Sequence, residues 1–233
     1  MTTRRTFPAA RPFLKWAGGK GQLLPDLVRL VMEARPFNDY HEPFVGGGAL
    51  FFELASEGIL ERNAFLSDNN ENLINAYRGV KRHVDSVIKL LLEHKAAHSK
   101  EHFYSVRSNA PESAPERAAR IIYLNRTCFN GLFRENSKGQ FNVPMGRYVN
   151  PGICDEPNLR GCAKALKRAE VERRSFETVL DRAKEGDFVY FDPPYVPLSA
   201  TANFTSYDKG GFGEDAQRRL AEVFRELNKR GVK

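Results

Sequence analysis

The stretch His41-Glu42-Pro43-Phe44-Val45-Gly46-Gly47-Gly48-Ala49-Leu50-Phe51-Phe52-Glu53-Leu54 decides the fold. Its first five residues read as a strand, the three glycines as a tight turn, and the run from Ala49 as a helix. Ala64-Phe65-Leu66-Ser67-Asp68 follows as a second short strand that ends in an acid. Strand, turn, helix and strand form the β-α-β signature of a parallel sheet with crossover helices. A glycine turn placed there brings backbone N–H groups and a helix N-terminus close to a ligand. Gly46 and Gly48 supply a G-x-G beginning, but Phe51 stands where the nicotinamide fingerprint needs its third glycine. Asp68 lies about twenty residues beyond the turn, where an acid can bond ribose hydroxyls. The constellation points to a nucleoside-containing cofactor and away from a dehydrogenase.

Working outward, residues 22–32 carry leucines and valines at helical spacing, with Pro25 early in the run. Before them stands Phe13-Leu14-Lys15-Trp16-Ala17-Gly18-Gly19-Lys20. Gly19-Lys20 resembles the end of a phosphate loop, but Leu14 replaces the required first glycine and Gly21 the Ser/Thr. The segment also precedes the first strand, so a nucleoside-triphosphatase reading is rejected. Trp16 beside glycines can shelve an adenine ring or anchor a core, and Lys20 can meet a carboxylate.

Downstream, residues 71–92 are helical in pattern, with a break expected near Gly79. Helical stretches continue to Ile122, with a second break at residues 109–115. A polar, glycine-spaced region follows over 125–148, with a hairpin tip at Asn136-Ser137-Lys138-Gly139-Gln140. The sheet pattern is expected to resume at Phe188. The middle of the chain thus reads as an insertion between two halves of one α/β core.

Phe188-Val189-Tyr190-Phe191 is a buried-type strand that runs into Asp192-Pro193-Pro194-Tyr195. A carboxylate and free carbonyls can accept both hydrogens of a planar amino group, while an aromatic ring stacks on the plane that carries it. The prolines fix φ and remove backbone donors, which leaves the acceptors preorganised. The turn is suited to an exocyclic amine on a flat, conjugated substrate such as a nucleobase.

A net charge of +7 over 233 residues suits a polyanionic partner, though charge argues for association and not for fold. The three cysteines, Cys128, Cys154 and Cys162, have neither disulfide-framework nor zinc spacing, which favours a reducing cytoplasm. No run approaches the ~20 apolar residues that cross a bilayer. Arg126, Asn130, Arg134, Asn136, Lys138, Arg147 and Tyr148 give the inserted region a basic, amide-rich face. Arg and Asn read guanine and adenine edges or hold phosphates; a solvated basic face is the competing reading. His94, His98 and His102 recur every fourth residue, but nothing acidic or cysteinyl joins them at zinc-like spacing, and no metal site is expected.

With these residues assembled, the chain resembles the Dam-type DNA N6-adenine methyltransferases, from Phe13 to Val232. The resemblance rests on Phe13–Lys20, Glu42-Pro-Phe-Val-Gly-Gly-Gly-Ala49, Asp68 with Asn72-Leu-Ile-Asn-Ala-Tyr77, Asn130-Gly-Leu-Phe-Arg134, Gly139–Tyr148 and Asp192–Tyr195. It implies a Rossmann-like α/β core that binds S-adenosylmethionine, formed by residues 1–71 and 175–233. A mainly helical target-recognition domain with a β-hairpin, residues 72–174, would interrupt that core. It implies cofactor contacts at Trp16, Lys20, Phe44, Gly46, Gly48, Asp68 and Asp192, and catalysis at Asp192, Pro193, Pro194 and Tyr195. Lys15 and the Asn130–Tyr148 region match DNA-facing positions. The partner would be double-stranded DNA, methylated at adenine in GATC, and a companion restriction endonuclease is compatible with that reading. Further strands follow the last helix in the family, so the core of this chain is expected to lack its C-terminal strands.

The resemblance narrows the amine to adenine N6, which must leave the duplex stack at a cost of a few kcal/mol. Asp192 and the Pro193 carbonyl then accept its hydrogens while Tyr195 stacks on the base. The rival readings are an amine methyltransferase acting on RNA or on a protein amide, and a DNA-binding homologue without catalysis.

Overall fold

The computed structural model describes residues 10–194 and 212–233. Among the described residues, four strands form one parallel sheet: β1 (Tyr40–Glu42), β2 (Ala64–Asp68), β3 (Ala169–Arg173) and β4 (Phe188–Val189), in the order β3-β2-β1-β4. Tyr40 sits opposite Ala64 on one side and Phe188 on the other, and Ala64 is in turn opposite Ala169. The sequence expectation of a second strand over 64–68 coincides with β2. β1 is shorter than the pattern suggests, because Pro43 lacks the N–H that would continue the ladder.

Helix α1 (Leu24–Glu33) precedes β1, α2 (Ala49–Ser56) links β1 to β2, and α7 (Glu214–Lys229) follows β4. The long connection from β2 to β3 holds α3 (Glu71–Ala96), α4 (Lys100–Ser108), α5 (Ala114–Thr127) and α6 (Glu156–Leu166). α3, α4 and α5 start on polar caps: the Asn70, Ser99 and Ser113 side chains accept from Leu73, His102 and Glu116 backbone N–H groups. Leu73, Ile74, Val80, Val87 and Leu91 on α3 and Ile121, Ile122 and Leu124 on α5 are buried in one core with Leu66 of the sheet. The Glu135–Phe141 bridge closes the expected hairpin. Asn136 shapes its tip, its Oδ1 accepting from Lys138 N–H and Gln140 N–H, each at 3.0 Å.

Two expectations are corrected. The sheet resumes at Ala169, not at Phe188, so β3 lies within the 72–174 stretch assigned to the insertion. Ala169 and Val171 face inward while Glu170 and Arg173 face out; three charges in five residues mask the strand's apolar alternation. Gly79 does not break α3 either. The non-helical residue is His83 (φ −138°, ψ 35°). Gly79 instead lets α5 approach, since a Cβ there would lie 2.3 Å from the Ala118 Cβ.

The entry to β4 is tied from below. Buried Asp187 accepts from Asp39 N–H at 3.1 Å and Lys184 N–H at 3.0 Å, and its Oδ2 lies 3.0 Å from His41 Nε2. Burial holds the His41 imidazole below its ordinary pKa, so the neutral ring is the favoured form. On the far side of β4, the Val189 N–H donates to the Lys233 carbonyl and the Lys233 N–H to the Asp187 carbonyl. The backbone at Lys233 therefore already runs along that edge. Among the described residues, no helix is long and apolar enough to cross a membrane.

Candidate active site at the strand switch point

β1 is flanked by β2, which follows it through α2, and by β4, which arrives much later in the chain. The chain therefore leaves in opposite directions from the C-terminal ends of β1 and β4. In an open parallel sheet, that divergence opens a crevice where ligands bind. Here it is a cleft of about 840 Å³. The cleft is lined by Trp16, Lys20, Phe44, Gly46, Gly48, Asp68, Asp192 and Pro193 together. Residues from four distant segments thus meet in one place.

The glycine turn is shaped for close approach. Gly48 caps α2 with φ +68°, and a Cβ there would meet the Tyr77 hydroxyl at 2.5 Å. That hydroxyl donates to the Gly46 carbonyl at 3.1 Å. Asp68, at the end of β2, accepts from Gly46 N–H at 3.2 Å and Asn70 N–H at 2.9 Å. The acid that the sequence places after β2 therefore braces the turn and still lines the cleft.

Lys20 and Asp192 close the opposite wall, Nζ to Oδ1 at 2.6 Å, and Lys20 Nζ also donates to the Gly18 carbonyl at 2.9 Å. Trp16 packs beside the glycine turn and against Phe133, ring centres 5.3 Å apart. It thus joins the cleft wall to the inserted region.

Several lining residues carry no signal that the sequence reading used. Phe44 stacks on Phe176 at 5.2 Å and meets Phe212 edge-on at 5.6 Å. Phe176 follows β3, so overlooking that strand also hid its side chain. Glu42 is 2% exposed at the end of β1 and lines the cleft. Tyr40 donates to its Oε2 at 2.8 Å. Burial pushes the Glu42 carboxyl up to about 8, against the pull of the Tyr40 hydrogen bond and with a further push from Asp192.

The basic candidates are placed unevenly. Lys15 is exposed and donates from Nζ to the Tyr148 hydroxyl at 3.1 Å, with Nζ 4.3 Å from that ring's centre. Asn130 is exposed with φ +53°, and Arg134 is exposed with its Nε donating to Asn142 Oδ1 at 2.8 Å. Lys138 and Arg147 are exposed. Arg126 is different: half-buried, it donates to the Phe13 carbonyl at 3.1 Å and anchors the N-terminal segment. Asn136 is occupied within the hairpin tip. A residue that sequence reasoning missed, Asn125, is buried and holds the Lys15 segment in register. It accepts from Lys15 N–H at 2.7 Å and donates to the Lys15 and Gly131 carbonyls at 2.8 Å.

The three histidines surround Tyr123. His94 Nδ1 lies 3.0 Å from His102 Nε2, and His98 Nδ1 lies 2.8 Å from the Tyr123 hydroxyl. Their polar atoms meet one another and a tyrosine, and no group of three metal-ligating side chains is found among the described residues. Tyr195 lies outside the described residues.

A parallel sheet with its cleft at the switch point, a glycine turn braced by an acid, and a carboxylate–proline turn lining the same cleft define the architecture of an α/β enzyme. The comparison with known families makes this specific: the chain belongs to the D12 class of N6 adenine-specific DNA methyltransferases, matched over residues 16–233. It is 46% identical over 230 residues to "Type II methyltransferase M1.LlaDCHI" of Lactococcus lactis, covering 95% of this chain and 78% of that protein. It is 44% identical over 238 residues to "Type II methyltransferase M.MjaIII" of Methanocaldococcus jannaschii, covering 96% and 82%. The Escherichia coli K12 "DNA adenine methylase" is 37% identical over 226 residues, covering 95% and 78%.

Proposed function

We propose that the chain methylates N6 of an adenine turned out of duplex DNA, within GATC, with S-adenosylmethionine as cofactor. The carrying observation is the junction in one cleft of the Gly46–Gly48 turn, Asp68 and the Lys20–Asp192 ion pair. The residues fit such a cofactor. The glycine turn lines the cleft, and the carboxylates of Asp68 and Asp192 beside it suit a cationic nucleoside. Phe44, Phe176 and Phe212 offer an apolar wall for its adenine ring, and Asp68 an acceptor for ribose hydroxyls. When bound, the cofactor supplies a methyl group on a positively charged sulfur.

The rest of the reaction falls to the chain. Asp192 and the Pro193 carbonyl accept the two N6 hydrogens, which favours a more tetrahedral nitrogen with its lone pair free. Pro193 and Pro194 lack N–H groups, so no backbone donor there competes for those acceptors. Lys20, held by Asp192 and the Gly18 carbonyl, keeps that carboxylate oriented. Tyr195 is assigned to stack on the target base, worth roughly 1–3 kcal/mol. Positioning supplies much of the rate.

Recognition of DNA is assigned to Lys15, Asn130, Arg134, Lys138, Arg147 and Tyr148, with Asn136 shaping the hairpin and Arg126 holding the adjoining segment. Because β3 returns to the sheet, we place the end of the recognition part before α6, short of residue 174. The resemblance of Asn130–Arg134 and Gly139–Tyr148 to the Dam-type pattern supports GATC. The test is to incubate the full chain with methyl-labelled cofactor and duplexes that carry GATC or one altered base pair. Nucleoside analysis should find N6-methyladenine in the GATC duplex alone. Label spread evenly across duplexes refutes the site, and no labelled adenine in any duplex refutes the reaction.

A further inference from the structure

Beside the cofactor cleft lies a second, polar cleft of about 660 Å³, and residues Asn69 and Asn70 line both. One wall of the second cleft is the first turn of α3; the other is the 135–142 hairpin. A hydrogen bond crosses it: Asn72 Nδ2 donates to Glu135 Oε1 at 2.6 Å. Each end of this contact is tied to something functional. On the α3 side, Asp68 binds the Asn70 N–H, and Asn70 caps α3 by accepting from Leu73 N–H at 3.0 Å. Arg173 also pins this turn to β3 through the Asn69 carbonyl and the Glu71 carboxylate. On the hairpin side, Glu135 pairs across the ladder with Phe141 and directly follows Arg134. The Arg134 carbonyl accepts from Asn142 N–H at 3.0 Å, and its side chain donates to Asn142 Oδ1.

We propose that Asn72 and Glu135 are positioning residues that couple the cofactor turn to the recognition hairpin. A ligand that orders Asp68 orders the cap of α3 through Asn70. The Asn72–Glu135 bond carries that order to the hairpin strand that presents Arg134. Cofactor-site occupancy then strengthens binding of the correct duplex, and by linkage the duplex strengthens cofactor binding by the same factor. This inference rests on the reading of the hairpin as the DNA-recognition element.

The experiment measures duplex affinity of the full chain with and without saturating S-adenosylhomocysteine, on GATC and on one-base-pair variants. The wild type should show a coupling factor in the usual range of roughly 5- to 150-fold. Asn72→Asp sets two carboxylates against each other and should lower that factor at least about fivefold, with poorer base-pair discrimination. Adding Glu135→Gln in the same chain restores a donor–acceptor pair with its direction reversed and should return coupling to near the wild-type value. S-Adenosylhomocysteine affinity without DNA should stay unchanged in all variants, and the thermal midpoint of the doubly substituted chain should equal that of the wild type. A merely structural role would move those two readouts instead. Coupling unaffected by Asn72→Asp, or not rescued by the reversed pair, overturns the proposal while leaving the methyltransferase reading intact. A wild type that binds duplex without any coupling does the same. A wild type that neither binds nor methylates duplex DNA overturns both.

Discussion

Glu42→Gln should stabilise this protein at neutral pH and destabilise it slightly in mild acid. The Glu42 carboxyl is 2% exposed, and burial raises it from an ordinary 4.5 to about 8. Because the folded-state value is raised, the folded chain keeps a proton that the unfolded chain releases. Stability is therefore lost as pH climbs past 4.5, and the loss levels off near 8. From 4.5 to pH 7, at about 1.4 kcal/mol per pH unit, the cost is about 3 kcal/mol. Gln has no proton to lose and still accepts from the Tyr40 hydroxyl, but its buried amide N–H groups need acceptors, which costs on the order of 1 kcal/mol. A net gain of roughly 2 kcal/mol at pH 7 corresponds to a midpoint rise of roughly 4–8 °C for a chain this size. Thermal and urea melts of both proteins at pH 5, 6, 7 and 8 measure it. The difference between them must grow with pH. A constant offset across that range would refute the buried-proton argument, whatever its sign.

Three further outcomes follow from the same geometry. Asp192→Asn keeps the shape of the catalytic turn but turns one acceptor into a donor, and turnover should fall by about 10²–10³; single-turnover methylation that stays near wild type would remove Asp192 from catalysis. Arg134→Ala should cost about 1–3 kcal/mol of discrimination at one base pair; an equal affinity loss on every duplex, with a shallower salt dependence, would make Arg134 a phosphate contact instead. Gly79→Ala puts a methyl group 2.3 Å from the Ala118 Cβ, so α3 and α5 must separate at a cost of roughly 1–3 kcal/mol; a denaturant midpoint equal to wild type would show that the helices part freely.

How much was legible varied with how local the cause was. β2 and the hairpin tip were readable because apolar alternation and Asx–Gly turn chemistry act within a few residues. β3 was not, because its two inward side chains, Ala169 and Val171, gain meaning only from the strand they meet. Gly79 shows the same limit. As a glycine it reads as a breaker, yet its reason is a methyl group on another helix. Arg126 reads as a basic contact until the Phe13 carbonyl is seen to occupy it.

The sequence by itself determined the sheet type, the glycine turn with its acid, the Asp192–Pro194 turn and the family resemblance. These are set by backbone freedom at Gly48, by the missing N–H groups of the prolines and by short-range hydrophobic period. Only the tertiary structure decided that Lys20 meets Asp192, that Phe176 and Phe212 wall the cleft beside Phe44, and that Glu42 is buried deeply enough to hold its proton. It also decided that Asn72 reaches Glu135 across the polar cleft. The meeting of Lys20 with Asp192 depends on strand order, which places the ends of β1 and β4 side by side although most of the chain separates them. Proximity of that kind is a property of the sheet, and no spacing in the sequence encodes it.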